Sequence, residues 1–384
     1  MNIGIVLFTN LTVGGGTDQV AKNLARTIES IDDSCNVYVF QTNFYGPFQK
    51  DNPILPQISS NAKIVTLRSP YNNQLWRIAV KHPLLNFFYA NFIYHFLYIV
   101  MNQKTIKNYV GKLDHIVFLW YRDVIPWRII SSEVLKKSVA SGDCGLVNPK
   151  KGAINRIFLS FLLQCTRRFR YLNKNQMELH LTSSDHELYL PNGVDTSKFT
   201  ILPDSNREIK NYLFVGRLVK EKGIREFIEA AKILKNEKWL KFTIAGKGEY
   251  TQEVSTLSSV QKNVEYLGFL EEDELSELYK KSDVLILPSY SETFGNVVLE
   301  AISSGVFCMV SESLRGNFDE LEKIGALEYI ENTETSIADA IRRSKYFSVS
   351  TKTQNIWHTY IENNYSWISI SKRLLQFLNS SLIN

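Results

Sequence analysis

The chain has 384 residues, of which 44% are hydrophobic and 22% are charged. This composition is ordinary for a globular protein and excludes a disordered chain, and the length predicts two domains of usual size. The net charge of +5 is uneven: residues 1–190 carry 21 Lys and Arg against 12 Asp and Glu (+9), and the remainder carries 23 against 27 (−4). We therefore expect two domains that face different partners.

The charge pattern of the front half suits nucleic acid, an anionic membrane surface or a phosphorylated substrate. No helix-turn-helix, zinc or RNA-recognition pattern supports nucleic acid. The four cysteines lack the spacing of a zinc or disulfide framework, which predicts reduced thiols in a cytoplasmic protein. The first apolar run, residues 3–8, is shorter than the apolar region of a signal peptide.

Short apolar runs alternate with helical patterns along the whole chain. The predicted strands of the front half are residues 3–8, 36–41, 63–67, 114–120 and 136–140, and those of the back half are 212–215, 241–245, 264–267, 284–287 and 307–310. This alternation predicts an α/β protein with two parallel, doubly wound, Rossmann-like sheets covered by helices. The turn-forming run Pro191-Asn192-Gly193 marks a boundary, so we expect domains at 1–190 and 191–364, followed by a helix at 365–384.

Glycines follow the first predicted strand of each domain. Gly14, Gly15 and Gly16 precede a helix beginning near Thr17, an arrangement that lets a phosphate or an acceptor approach the backbone closely. In the second domain, Gly216-Arg217 is followed by Lys222-Gly223 before the next helix. Two spaced cations between glycines suit a diphosphate, with a solvated surface turn as the alternative.

The most informative run follows the predicted strand at 284–287. It places Glu292 on a turn, Gly295 next to a helix start, Asn296 as the expected N-cap, and Glu300 about one helical turn further on. The carboxyl ends of parallel strands are where α/β sheets bind ligands. The pattern therefore predicts a site with two carboxylates, suited to a sugar nucleotide.

Together these motifs resemble a retaining glycosyltransferase of family 4, one of the glycosyl transferases group 1 of the bacterial surface-polysaccharide type. The resemblance implies the GT-B fold, with two Rossmann-like domains facing a cleft and a C-terminal helix crossing back to the first, acceptor-binding domain. It implies that Glu292 contacts the donor sugar, Glu300 the ribose, and Arg217 and Lys222 the diphosphate. The further positions that it assigns to donor or acceptor are Gly14, Gly15, Gly16, Gly216, Gly268, Phe269, Phe294, Gly295, Asn296 and Val297.

The resemblance also implies a reaction without cofactor or metal, in which the leaving phosphate takes the acceptor's proton; no Asp-x-Asp motif occurs in the chain. Members of the family commonly carry a histidine in the first domain near the reacting carbon. The corresponding stretch here, residues 138–143, has none, which leaves Ser141 and Asp143 as candidates. His115, at a strand start, is expected to be structural.

Two segments raise the question of membrane contact. Residues 84–101 are almost long enough to span a bilayer, but Asn91 and His95 lie on one helical side and the segment interrupts a sheet, so spanning is not expected. Residues 150–174 combine apolar helical spacing with seven cations and no acid, which fits a helix at an anionic membrane surface or one packed on its own sheet with a solvated basic face.

The favoured function is therefore transfer of a sugar from a nucleotide-diphosphate donor, UDP first and GDP second, to a glycan or lipid-linked acceptor in surface-polysaccharide assembly. We expect this at the cytoplasmic face of the cell membrane. Three alternatives stay open: a sugar-nucleotide epimerase, a phosphorylase, and a catalytically impaired binding subunit on the same fold. The missing histidine favours the last of these, and the retained Arg217, Lys222, Glu292 and Glu300 oppose it.

Overall fold

The computed structural model describes residues 1–7, 11, 16–43, 61–70, 81–82, 85, 89, 93–142, 153–180, 187–202 and 207–380. The chain divides into two compact units, one of Met1–Pro191 with Ile370–Asn384 and one of Asn192–Ser369. Each unit has its own parallel sheet, as the alternating pattern predicts.

The first unit contains seven strands in the order β3-β2-β1-β4-β5-β6-β7, all parallel. They are β1 (Asn2–Val6), β2 (Asn36–Thr42), β3 (Lys63–Leu67), β4 (His115–Phe118), β5 (Ser138–Ser141), β6 (Arg168–Tyr171) and β7 (Glu187–Tyr189). Its described helices are α1 (Gly16–Ile31), α2 (Tyr94–Val110), α3 (Val124–Ile130), α4 (Val134–Lys137), α5 (Ala153–Cys165) and α6 (Lys174–His180).

Aromatic side chains fill the core on one face of this sheet. The Trp127 ring lies edge-on to Phe40 at 5.0 Å and to Phe118 at 5.4 Å between ring centroids. All three side chains are fully buried, and Trp127 Nε1 donates to the Tyr98 hydroxyl at 3.3 Å. Such edge-to-face contacts anchor α2 and α3 on the sheet.

The second unit contains a six-stranded parallel sheet of order β11-β10-β9-β12-β13-β14 and a small antiparallel pair, β15-β8. The strands are β8 (Arg207–Glu208), β9 (Asn211–Val215), β10 (Lys241–Ala245), β11 (Val264–Gly268), β12 (Val284–Leu287), β13 (Phe307–Ser311), β14 (Leu327–Ile330) and β15 (Ser348–Val349). The helices are α7 (Ile224–Ile233), α8 (Thr251–Val260), α9 (Glu272–Lys280), α10 (Asn296–Ser303), α11 (Asp319–Lys323), α12 (Glu334–Ser344), α13 (Thr351–Tyr365) and α14 (Trp367–Ser380), which ends in the first unit.

The expectation of one basic helix over residues 150–174 is wrong. Helix α5 ends at Cys165, and after two further residues the chain forms β6 (Arg168–Tyr171), a buried strand. Arg168 donates to the Ser138 and Lys137 carbonyls, and Arg170 to those of Leu190 and Pro191. Both arginines are buried because they satisfy backbone carbonyls of neighbouring segments, so they add no charge to a helix surface.

Of residues 84–101, those from Tyr94 onward belong to α2, and most of residues 84–92 lie outside the described residues. In the parts of the chain that the structure covers, every helix is too short or too polar to cross a bilayer.

Candidate active site

The order of strands in the second unit reverses between β9 and β12, which lie side by side with β10 on the far side of β9 and β13 on the far side of β12. In open α/β sheets a crevice forms at the carboxyl ends of two such strands. The turn that contains Lys222 follows β9, and the turn that contains Glu292 follows β12. The topology therefore brings together two motifs that are 70 residues apart.

The two turns touch through a glycine. Gly223 has a φ of +68°, and a Cβ atom at this position would lie 1.9 Å from the carbonyl oxygen of Pro288. Any larger residue would push the turns apart, so glycine is required by both backbone conformation and space. The Tyr290 amide also donates to the Glu221 carbonyl at 2.9 Å, which fixes the two turns to each other.

Lys222 and Glu292 form an ion pair between Nζ and Oε1. Only 18% of the Lys222 side chain and 10% of the Glu292 side chain are exposed to solvent. Each charge is therefore largely removed from water and is stabilised by the opposite charge of its partner. The buried Ser289 hydroxyl donates to the same Oε1 at 3.1 Å. A charged pair with a second donor holds this carboxylate in one place.

Further hydrogen bonds fix the backbone beneath Glu292. Ser313 Oγ donates to the Ser289 carbonyl at 2.7 Å, and Asn332 Nδ2 donates to the Pro288 carbonyl at 3.0 Å. These contacts come from the ends of β13 and β14, the next strands along the sheet. Together with the Glu221 contact from the turn after β9, these bonds hold the Glu292 turn from the ends of three other strands.

The carboxyl ends of β9, β10 and β11 each carry a glycine with a positive φ angle, namely Gly216, Gly246 and Gly268. A Cβ on Gly246 would lie 1.8 Å from the Gly216 carbonyl oxygen, and the Gly246 amide donates to the Gly268 carbonyl. The absence of side chains lets these strand ends pack closely and leaves backbone exposed to a ligand.

A small pocket of about 240 Å³ opens beside these glycines. It is largely apolar, with the exposed Arg217 at one side and the half-exposed Phe269 ring at another. Its remaining lining residues are Val215, Gly216, Ala245, Gly246, Lys247, Leu270 and Leu275. An apolar slot next to an arginine suits a flat ring attached to an anionic group.

Glu300 lies on α10, where its Oε2 accepts a hydrogen bond from the Tyr279 hydroxyl of α9 at 3.0 Å. Burial raises the pKa of Glu300 to about 7, an effect that the Tyr279 hydrogen bond opposes and the Glu272 charge reinforces. The group is therefore poised between its neutral and charged forms near neutral pH.

The start of α10 has no side-chain cap, and the expectation of Asn296 as the N-cap is wrong. Gly295 occupies the cap position with a φ of +99°, a conformation that favours glycine, and Asn296 is the first helical residue. Val297 follows, and the preceding Phe294 is buried against Phe318 with ring centroids 5.4 Å apart. An uncapped helix start offers its first N–H groups to an anionic or oxygen-rich ligand.

The predicted positions in the first unit are less fully described. Gly14, Gly15 and Asp143 lie outside the described residues, and Gly16 is the exposed first residue of α1. Ser141, at the end of β5, is buried and accepts from Arg170 Nη1 at 3.1 Å. No group of three or more His, Cys, Asp or Glu side chains that could hold a metal ion occurs in the described ranges.

His115 is buried in β4 with its Nδ1 3.3 Å from Arg168 Nη2. Burial and this neighbouring cation lower the pKa of His115 to about 4, so the ring is neutral at physiological pH. This environment is that of a packed strand, which agrees with the expected structural role.

Sequence reasoning missed two supports of the site. Tyr279 was not distinguishable from other apolar positions of α9, since only the tertiary structure brings it to Glu300. Gly246 carried a usable signal, because Ala245-Gly246-Lys247-Gly248 places glycines directly after a strand as Gly216 does.

Comparisons with known proteins agree with this architecture. The whole chain superposes on the crystal structure of an Anabaena protein, HepE, in complex with UDP and glucose, with a TM-score of 0.69 at 14% identity, covering 99% of this chain and 100% of the other. The fold is GT-B. The fold class expected from the sequence, two Rossmann-like α/β domains, is confirmed.

Residues 201–379 match the model of the family Glycosyl transferases group 1. This segment of the GT-B chain contains Lys222, Glu292 and Glu300. The match covers somewhat less than half of the chain, most of it in the second unit.

Two curated relatives match parts of the chain. An uncharacterized glycosyltransferase of Methanocaldococcus jannaschii is 40% identical over 105 residues, 27% of each protein. The Escherichia coli UDP-Gal:alpha-D-GlcNAc-diphosphoundecaprenol alpha-1,3-galactosyltransferase is 30% identical over 184 residues, 41% of this chain and 45% of the relative. The matched stretches thus span between about a quarter and a half of these relatives' lengths.

Proposed function

We propose that this GT-B protein is a retaining glycosyltransferase that moves a sugar from a nucleotide-diphosphate donor to a glycan or lipid-linked acceptor. The observation that carries the proposal is the Lys222–Glu292 pair at the crevice between β9 and β12. A cation beside a held carboxylate matches a donor that carries both an anionic diphosphate and a hydroxyl-rich sugar.

In the proposed donor complex each part of the nucleotide sugar has a matching group. The base enters the apolar pocket beside Phe269, and the diphosphate meets Arg217, Lys222 and the amides at the start of α10. Ribose hydroxyls donate to the ionised Glu300, and sugar hydroxyls donate to Glu292. These roles follow from the chemistry of each group and its place at the crevice.

In the proposed reaction the acceptor oxygen attacks the anomeric carbon from the face that the diphosphate leaves. The bond from the acceptor oxygen to carbon forms as the bond from carbon to the phosphate oxygen breaks, and the acceptor's proton passes to that phosphate oxygen. Lys222 and Arg217 stabilise the charge that builds on the departing diphosphate. These two cations supply the stabilisation that a metal ion gives elsewhere, so we propose that transfer needs no metal or other cofactor.

The donor base and the acceptor are proposed from the relatives. The superposed Anabaena protein was crystallised with UDP and glucose, and the Escherichia coli relative uses UDP-Gal and a diphosphoundecaprenol-linked sugar by name. We therefore favour a UDP-sugar and a lipid-diphosphate acceptor, with a role in surface-polysaccharide synthesis at the cytoplasmic face of the membrane.

Thermal-shift measurements with UDP, GDP and a panel of their sugars test the donor site. The wild-type protein should be stabilised by one nucleoside diphosphate, and Lys222→Ala should lose that shift. Lys220→Ala is the matched control, because Lys220 lies in the same turn with an exposed side chain and should leave the shift unchanged.

If no nucleotide stabilises the wild-type protein, the donor-site proposal is wrong. Nucleotide binding without transfer or hydrolysis of any donor would instead favour the catalytically impaired binding subunit. Conversion of a sugar nucleotide to its epimer would favour the epimerase. A reaction abolished by EDTA would contradict the proposal that no metal takes part.

A further inference from the structure

Helices α2, α3 and α5 lie on the same face of the first-unit sheet. Helix α2 lies in the connection from β3 to β4, α3 in that from β4 to β5, and α5 in that from β5 to β6, so all three connections run in the same direction across the sheet. Because such crossovers are right-handed, they place their helices on the same face. Helix α3 contacts both α2 and α5, so it lies between them. The three helices thus form one continuous outer layer.

The outward side of this layer is unusually apolar. Large hydrophobic side chains with high fractional exposure occur on all three helices: Phe96 (65%) and Val100 (54%) on α2, Ile129 (59%) on α3, and Ile157 (71%) and Phe161 (44%) on α5. We call these five residues the α2–α3–α5 face. Scattered exposed hydrophobics are normal, but a set that spans three adjacent helices marks a surface that something covers.

The charged side chains of the three helices themselves are of one sign. The sequences of α2, α3 and α5 contain no Asp or Glu and carry Lys104, Lys107, Arg128 and Arg156. Glu133, in the turn after α3, is paired with Lys137 at 2.6 Å. On α2 the exposed positions change from apolar in the first half to lysine in the second, over about 16 Å from Phe96 to Lys107.

We propose that the α2–α3–α5 face rests on an anionic lipid bilayer. The apolar side chains enter the boundary between headgroups and acyl chains, while Lys104, Lys107 and Arg156 contact lipid phosphates. A second copy of this chain is a poor occupant, because it would bring the same unpaired cations face to face. The proposed membrane-binding surface therefore includes residues of α2 and α3 as well as of α5.

This inference rests on the proposed function only for the biological role of the binding, because a lipid-linked acceptor lies in the membrane. Docking through the first unit's outer layer would hold the protein where that acceptor is. The binding itself depends on the surface alone, so it can be measured without donor or acceptor.

Flotation of the full-length protein tests the proposal, with vesicles of phosphatidylcholine alone and of an equal mixture with phosphatidylglycerol. The wild-type protein should float with the anionic vesicles at low salt and much less at high salt. The double variant Lys104→Glu, Lys107→Glu should bind about 30-fold more weakly or worse, since each lysine near such a surface contributes about 1 kcal/mol. Phe96→Ser with Val100→Ser should lose about tenfold or more.

Matched controls lie on the second unit. Val260→Ser removes a hydrophobic side chain that is 74% exposed, and Lys235→Glu with Lys238→Glu reverses two exposed lysines. Because these changes leave the α2–α3–α5 face intact, each control should float as the wild type does. The wild-type thermal shift with UDP should persist in every variant, which separates failure of docking from failure of the proposed function.

The proposal is overturned if wild-type protein ignores anionic vesicles, or if the two face variants float as well as the controls. It is also overturned if wild-type protein forms a dimer in solution that Phe96→Ser with Val100→Ser dissolves while vesicles are ignored. That result would make the face a contact between copies. Saturable binding of an acidic protein in place of vesicles would make it a protein-docking surface.

Discussion

Replacing Glu292 with glutamine should have opposite effects on nucleotide binding and on sugar transfer. The Glu292 carboxylate accepts hydrogen bonds from both Lys222 and the Ser289 hydroxyl. A diphosphate that binds Lys222 must share its cation with that carboxylate. Glutamine keeps the shape of the side chain and removes the competing charge.

The magnitude follows from Coulomb's law. Two negative charges on opposite sides of one ammonium lie about 6 Å apart and repel by about 3 kcal/mol at an effective dielectric constant of about 20. The Lys222 and Glu292 side chains keep 18% and 10% exposure, so water and salt reduce this value. We expect about 1–2 kcal/mol, or a Kd for the free nucleoside diphosphate roughly 5- to 30-fold lower in Glu292→Gln.

Transfer should change in the other direction. The neutral amide of glutamine accepts weaker hydrogen bonds from the sugar hydroxyls than the carboxylate does, and it has no negative charge to stabilise the positive charge that develops at the anomeric carbon. We therefore expect a loss of about 2–4 kcal/mol of transition-state stabilisation. This corresponds to a kcat roughly 30- to 1,000-fold lower. Isothermal titration with the diphosphate chosen by the thermal-shift panel measures the first effect, and single-turnover release of that diphosphate measures the second.

Glu229→Gln is a matched control, because Glu229 forms a 2.7 Å ion pair with Lys232 on the outer side of α7. Loss of an exposed pair should leave both measurements unchanged. Weaker diphosphate binding in Glu292→Gln would refute the idea that the carboxylate competes for Lys222. Unchanged turnover would refute its contact with the donor sugar.

Three further predictions concern Glu300 and the glycine turn. Because burial raises the pKa of Glu300 to about 7 and ribose hydroxyls need the ionised form, nucleotide affinity should fall as pH drops from 8 to 6; a flat Kd profile would contradict the ribose contact. Because the pKa of Glu300 is raised on folding, the free energy of unfolding falls progressively as the pH rises from 4.5 to about 7. Urea denaturation at pH 8 without nucleotide should therefore show Glu300→Gln to be more stable than the wild type by up to about 3 kcal/mol. Equal stability of the two proteins would argue against burial of the Glu300 charge. Gly223→Ala should cost more than Gly325→Ala, since both have φ near +70° but only Gly223 meets the Pro288 carbonyl; the control alone should lose about 1 kcal/mol, and equal losses would show that the two turns do not touch closely.

The sequence predicted the sheets well because buried parallel strands are continuous apolar runs. The runs at 63–67, 241–245 and 284–287 coincide with β3, β10 and β12. The sequence did not predict β6, because Arg168 and Arg170 made this segment resemble the charged end of a helix. Their burial depends on carbonyls of segments elsewhere in the chain, such as Leu190 and Ser138, which no local pattern contains.

The donor-site residues were identifiable for a related reason. A residue just after a buried parallel strand must lie at the sheet's carboxyl edge, so Arg217, Lys222 and Glu292 could be assigned to a common edge from the chain order alone. The start of α10 was misjudged by one residue, since Asn296 is a good N-cap and only the backbone shows that Gly295 takes that place.

The sequence by itself determined the α/β class, the two Rossmann-like domains and the carboxyl-edge residues, because periodicity and turn chemistry are local properties. The tertiary structure decided which strands are neighbours, and therefore that Lys222 pairs with Glu292 across 70 residues. It also decided that Tyr279 meets Glu300 in a buried place, which moves that carboxyl's pKa to about 7. Pairing and desolvation depend on what surrounds a side chain in space, and those surroundings come from distant parts of the chain.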